Sequence, residues 1–211
     1  MLERNQFIGI PNAIPNRICN YILEDVKKQN THIGLIGSRT PDEIAALPRE
    51  EKERYYNTLN NKRNSNISFF NLPYILRYIY PFIKNTNKDF WNIDFDFAET
   101  CQYTEYGTKQ FYNWHQDTGV IPDNGLERKL SCSLLLNNGN EYDGGDMQFS
   151  WLNPDSNDNQ PKTIVDSANA YNLRNKGTLI IFPSYLIHRV TPITRGKRKS
   201  LVIWWKGKSF R

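Results

Sequence analysis

Trp91-Asn92-Ile93-Asp94-Phe95-Asp96-Phe97 is the stretch where this chain changes period. Ile93, Phe95 and Phe97 alternate with Asp94 and Asp96. Side chains two apart in an extended chain share a face, so the pattern predicts a half-buried strand. Runs of the same kind follow at Glu99–Tyr106, Leu130–Leu136, Asp146–Trp151, Gly177–Phe182 and Ser200–Trp205. Turn signals separate them, notably Asn138-Gly139 and Asp143-Gly144-Gly145-Asp146. Upstream of Trp91 the period is helical. Ile18, Tyr21, Ile22 and Val26 predict a helix that Pro15-Asn16 opens and that runs to about Gln29. Ile75, Leu76, Ile79 and Phe82 predict a second from Leu72 to about Lys84, which Pro81 should kink or end early. Between them, Gly34–Arg63 is polar; Pro41 and Pro48 could each start a short helix there, or the segment could be a mobile excursion. Asn153–Lys162 should be an exposed loop. A helical front followed by many short strands indicates an α+β domain with a barrel or sandwich core.

The 211 residues fit one domain, large enough to bury a core without disulfides. Cys19, Cys101 and Cys132 are far apart, odd in number and form no CxxC pair, so they read as free thiols in a reducing compartment. No apolar run reaches membrane-spanning length, and Met1–Asn12 carries no signal-peptide pattern. These features predict a soluble, cytoplasmic protein with no membrane partner. The net charge of +5 would attract anions in general. It is spread over the chain apart from Arg195, Lys197, Arg198 and Lys199 and the stretch from Lys206 to Arg211, which is the distribution of a solvated surface.

Only three histidines are present, and two sit where a metal could be held. In Trp114-His115-Gln116-Asp117 an extended backbone would turn His115 and Asp117 to the same side. His188 follows the strand Gly177–Phe182 and the turn at Pro183-Ser184. Two imidazoles and one carboxylate on one face of an ion leave three adjacent positions open, the ligand set of non-haem iron(II) enzymes that use oxygen. Either histidine alone would read as a hydrogen-bonded structural residue. Arg198 changes that balance. It lies ten residues beyond His188, and a turn at Thr194-Arg195-Gly196-Lys197 would fold its strand back beside the metal. A guanidinium there can take a carboxylate bidentately, as the far end of 2-oxoglutarate would require.

With these residues in view, the chain resembles the prolyl-4-hydroxylase-type branch of the iron(II)/2-oxoglutarate oxygenases. Four blocks between about Tyr103 and Trp205 carry the resemblance: Tyr106-Gly107 through His115-x-Asp117, Leu130–Asn137, Tyr142–Met147, and Gly177 through His188 to Arg198 and Trp204. The resemblance implies a double-stranded β-helix (jelly-roll) core at 91–211 buttressed by a mainly helical 1–90, all within one oxygenase domain. It implies iron(II) on His115, Asp117 and His188, and 2-oxoglutarate on Arg198, at a position where this branch has lysine or arginine. Tyr106, nine residues before His115, would line the co-substrate pocket. Some relatives place a second tyrosine where this chain has Leu135. Arg128 and Trp204 resemble residues that touch the peptide in protein prolyl hydroxylases; a surface arginine and a core tryptophan are the plain alternatives. Asp143-Gly144-Gly145-Asp146 reads as a turn rather than a calcium site, and His32 as structural or exposed. The implied reaction hydroxylates an unactivated C–H bond, foremost in a prolyl residue of a peptide or protein, releasing succinate and carbon dioxide, with ascorbate as a candidate stimulant. The alternatives are a free amino acid or small metabolite as substrate, or a non-catalytic jelly-roll binding protein. The arginine pattern of oxygenases that act on nucleic acids is missing after His188, which argues against that partner. Gly34–Arg63 and Asn153–Lys162 are the candidate lids.

Overall fold

The computed structural model describes residues 7–36, 41–118, 125–150, 164–166 and 173–209. In chain order these form β1 (Ile8–Ile10), α1 (Asn16–Val26), β2 (His32–Ile33), α2 (Pro41–Ala45), α3 (Arg49–Lys62), β3 (Arg63–Asn64), β4 (Asn66–Phe70) and α4 (Pro73–Phe90). There follow β5 (Phe97–Ala98), β6 (Cys101–Tyr106), β7 (Phe111–His115), β8 (Leu126–Leu135), β9 (Tyr142–Gly144), β10 (Met147–Ser150), β11 (Ile164–Asp166), β12 (Leu179–Pro183), β13 (Ile187–Val190), β14 (Ile193–Gly196) and β15 (Arg198–Lys208). Among the described residues, one sheet has the order β1-β12-β8-β15-β6-β4-β2, with β5 also on β15, and a second has the order β11-β10-β13-β7-β3. Pairing is antiparallel throughout. Side chains from both sheets line one cavity between them, the arrangement of a jelly roll.

The two faces of the larger sheet do different work. Leu201, Ile203 and Trp205 of β15 point one way, together with Cys101 and Tyr103 of β6, Leu130, Cys132 and Leu134 of β8, and Leu179 and Ile181 of β12. They pack against Ile18 and Ile22 of α1 and Ile75, Ile79 and Ile83 of α4. Burying each such aliphatic side chain contributes about 1.5–3 kcal/mol, so this layer is the main source of stability. The opposite face is polar: Arg198, Ser200, Gln102, Thr104 and Ser133 look into the cavity with Val202 and Trp204. The three cysteines are buried and free. No helix of the described residues is long and apolar enough to cross a membrane.

Three expectations change. The alternation at Ile93–Phe97 marks extended chain, but only Phe97–Ala98 is strand. The Asn87 side chain bonds both the N–H and the carbonyl of Ile93, taking the place of a partner strand, while Phe95 packs edge-on against Tyr80. Pro81 does not end α4 early; the helix runs on to Phe90. Pro81 and Arg77 are both exposed, so the carbonyl that loses its intrahelical donor faces water. The short strands β1 to β4 were not anticipated. The two proline-led helices, α2 and α3, do form.

Gly196 ends β14 at φ 74°, and a Cβ there would lie 2.1 Å from the Glu141 carbonyl oxygen. Gly196→Ala should therefore cost on the order of 3 kcal/mol in urea unfolding, because both the left-handed backbone and the backbone overlap oppose it.

Candidate active site

Strands β7 and β13 pair with His188 opposite His115 and Val190 opposite Tyr112. Two residues of β7, Asn113 and Trp114, thus lie opposite the single Arg189 of β13, a bulge; the Asn113 side chain accepts the Trp114 N–H at 2.9 Å. Past the bulge, the N–H groups of Asp117 and Thr118 both donate to the Ser184 carbonyl, at 2.9 and 3.1 Å. This ties the end of β7 to the turn between β12 and β13.

The rings are oriented from behind. Nδ1 of His115 lies 2.8 Å from the Asn113 carbonyl, and Nδ1 of His188 lies 2.9 Å from the Leu186 carbonyl. A carbonyl only accepts, so each Nδ1 carries the proton and each Nε2 presents a lone pair. Both Nε2 atoms lie 3.7 Å from a carboxylate oxygen of Asp117. One donor atom from each of the three residues falls within 4.8 Å of the others. Phe182 and Phe149 pack on His188, and the Tyr112 ring stacks on His115 at 3.5 Å. Burial, reinforced by His188, pushes His115 well below the usual imidazole range. Burial alone would raise Asp117, but its neighbours His188, His115 and Arg128, with the Trp204 indole N–H, hold it lower. A neutral imidazole and an ionised carboxylate are the forms a divalent cation binds. The donor set fits iron(II) with open positions on one side.

Arg198 stands across the cavity on β15, opposite Tyr106 of β6. It is 3 % exposed, yet its one side-chain hydrogen bond goes to the neutral Ser200 hydroxyl, 3.0 Å from Nη1. Among the described residues no carboxylate pairs with it. A buried guanidinium without an anion costs several kcal/mol, so the position calls for one. The Tyr106 ring lies 5.9 Å from the Arg198 guanidinium carbon. Burial pushes the Tyr106 phenol up against the pull of Arg63 and Arg198, which keeps it a neutral hydroxyl. Leu135 pairs with Ser200, so the hydroxyls near Arg198 come from Tyr106 and Ser200.

Arg128 and Trp204 also line the cavity. The register slips where β15 meets β8, from Trp205 opposite Leu130 to Lys206 opposite Arg128, leaving Lys129 as an extra residue. That slip turns Arg128 to the cavity side. Its Nε and Nη2 already grip both oxygens of Glu99 at 2.8 Å, and its guanidinium carbon sits 3.7 Å over the Trp204 ring. The Trp204 indole N–H is near enough to Asp117 to help keep that carboxylate ionised, but it makes no hydrogen bond of normal geometry.

Of the candidate lids, Asn153–Lys162 lies outside the described residues, whereas Ile36, Pro41, Tyr55 and Arg63 from the other contribute to the cavity wall. His32 is exposed at that wall. Asp143 pairs with Arg195 and Asp146 with Arg174, as suits a turn between strands. Two site residues had no role in the sequence reading: Tyr112, which backs His115, and Arg63, which lies over the Tyr112 ring at 4.6 Å. Arg63 sits in a run of charged residues with no period to single it out; an aromatic three residues before His115 was the available hint for Tyr112.

The sequence model of the 2OG-Fe(II) oxygenase superfamily matches residues 101–206, half of the chain, including all three clustered donors and Arg198. A PKHD-type hydroxylase of Xylella fastidiosa (strain M12) is 30% identical over 112 residues, 49% of this chain and 42% of that protein. The chain thus covers less than half the length of that relative. In fold, it is similar to a Pseudomonas putida prolyl-4-hydroxylase, with TM-score 0.60 and 17% identity over 99% of this chain and 96% of that one. It is likewise similar to the viral collagen prolyl hydroxylase of Paramecium Bursaria Chlorella virus-1 in its 2OG complex, with TM-score 0.60 and 17% identity over 96% and 97% of the two chains.

Proposed function

The chain belongs to the 2OG-Fe(II) oxygenase superfamily, and from that premise we propose that it is a dioxygenase hydroxylating a prolyl residue in a peptide or protein. Nε2 of His115, Nε2 of His188 and the Asp117 carboxylate would hold iron(II). Arg198 would take the far carboxylate of 2-oxoglutarate, with the Tyr106 and Ser200 hydroxyls beside it. Together, bound iron(II) and 2-oxoglutarate supply the oxidation of an unactivated C–H bond by oxygen, with succinate and carbon dioxide as by-products.

What this chain contributes is position and exclusion. Nδ1–H bonds to Asn113 and Leu186 fix both imidazoles, so no proton has to leave Nε2 before a metal enters. Phe149, Phe182 and Tyr112 pack behind the histidines and keep water from that side. The observation that carries the reading is Arg198: a buried guanidinium that no carboxylate of the described residues pairs with, facing the cavity that holds the three donors.

The prolyl substrate rests on the spacing of the motif blocks and on a cavity of about 1270 Å³, which leaves room for a second, larger molecule beside the co-substrate. Purified protein given iron(II), ascorbate, 2-oxoglutarate and oxygen should release succinate. The release should rise with a proline-rich peptide pool and vanish in His188→Ala. A rise with free amino acids alone would shift the assignment to a small-molecule hydroxylase. No succinate, together with no binding of 2-oxoglutarate, would leave a binding protein on the same fold.

A further inference from the structure

Arg63 begins β3, the edge strand beside β7, and pairs with Tyr112. Its side chain is 94 % buried, since its exposure is only 6 %. Nε donates to the Ser65 hydroxyl at 2.8 Å and Nη1 to the Leu35 carbonyl at 3.2 Å, both neutral acceptors. Nη2 is buried with no hydrogen-bond partner. Among the described residues no carboxylate pairs with it. The packing keeps the group in place: a Cβ on Gly34 would fall 2.5 Å from Nε and 2.8 Å from Cζ, so only glycine leaves room for it. Arg63 lines the same cavity as the metal-donor cluster. Its charge reaches Tyr106, Tyr112 and His115, opposing the upward push of burial on the two phenols and adding to the downward push on the imidazole.

The charges in the cavity indicate what Arg63 is for. This step rests on the proposed function. Iron(II) with Asp117, and a 2-oxoglutarate dianion with Arg198, together sum to zero. Arg128 and the partly exposed Lys206 share Glu99. Arg63 remains as a buried cation in the cavity wall, and the reactant still to be bound is the primary substrate. We propose that Arg63 binds a carboxylate of that substrate, so that the enzyme selects molecules carrying an anionic group close to the carbon it hydroxylates. A guanidinium with a free, buried Nη2 offers a charge-assisted hydrogen bond for which an amide oxygen is a poorer partner. Two sources carry this chemistry: the α-carboxylate of a free amino acid, and an acidic side chain near the target residue of a peptide.

The test uses the full chain loaded with manganese(II) in place of iron, which prevents turnover, and with 2-oxoglutarate. ¹³C-labelled acetate is then titrated in, and its relaxation by the metal is followed by NMR. Wild type should enhance acetate relaxation, and ¹³C-acetamide should show little. Arg63→Gln should lower the acetate effect at least fivefold and Arg63→Lys should retain most of it, while thermal melting reports that both variants are folded. Absence of the acetate effect in wild type, or its persistence in Arg63→Gln, overturns the proposal. So does a loss of 2-oxoglutarate affinity in Arg63→Gln as large as that in Arg198→Ala, which would put Arg63 on the co-substrate. Failure of 2-oxoglutarate to bind the manganese-loaded wild type would instead count against the proposed function itself. Two ligand pairs separate the sources: L-proline against L-prolinamide, and Ala-Pro-Asp-amide against Ala-Pro-Asn-amide. At least tenfold tighter binding of the acid in one pair, lost in Arg63→Gln, identifies the source; preference in neither overturns the proposal.

Discussion

Alanine at position 117 is expected to bring 2-oxoglutarate turnover to background, a loss of at least about a thousandfold. The carboxylate is the one anionic donor among the clustered residues, and its two oxygens each stand 3.7 Å from a histidine Nε2. The substitution should be gentle on the fold, because the backbone bonds from Asp117 and Thr118 to Ser184 do not involve the carboxylate. It also removes a carboxylate whose charge its neighbours more than compensate, so the metal-free protein should melt somewhat below the wild-type temperature while remaining folded. The paired readouts are succinate release and the rise in melting temperature on adding iron(II) or manganese(II); any ligand that binds only the folded state produces such a rise. Both should disappear together in Asp117→Ala. Wild-type activity in this variant would remove the metal assignment.

The second large effect is expected at Arg198. Arg198→Met keeps much of the volume and removes the charge. Affinity for 2-oxoglutarate should fall by roughly 10- to 100-fold, the worth of one charge-assisted carboxylate contact. Metal binding should be unchanged, since β15 carries none of the three donors. The metal-free, co-substrate-free variant should also be more stable than wild type, because a buried guanidinium without an acid is costly and methionine is not. The opposite signs are the diagnostic. A merely structural arginine would show a fall in stability, and titration calorimetry with 2-oxoglutarate beside thermal melting separates the two outcomes.

How far the chain could be read in advance depends on what each feature draws on. The strands of the larger sheet follow from period-two patterning, because their odd and even faces meet different surroundings, helices on one side and cavity on the other. His115 and Asp117 belong to one short extended segment, and Arg198 follows His188 by one turn, so local spacing was enough to bring them into one argument. Local spacing fails for Arg63: a two-residue strand has no period, and its place beside Tyr112 comes from pairing with a strand almost fifty residues away. It fails also for Arg128, whose direction depends on a one-residue register slip that no count of alternation can locate. At Ile93–Phe97 the pattern reported an extended chain over an apolar surface; the Asn87 side-chain amide satisfies the backbone of Ile93, and β15 takes over only at Asp96 and Phe97.

The pairing of His115 with His188 closes a stretch of more than seventy residues. Bringing such distant points together costs about 4 kcal/mol of chain entropy, and contacts of this span form late and slowly. The unfolded chain therefore offers only the His115-x-Asp117 half of the donor set to a passing metal ion. The complete cluster exists only once β7 and β13 have met. An ion seated there would act as a clasp across the longest connection of the five-stranded sheet. Loading with metal should then slow unfolding far more than it speeds folding, and the age of a refolding sample should be legible in its capacity to retain iron.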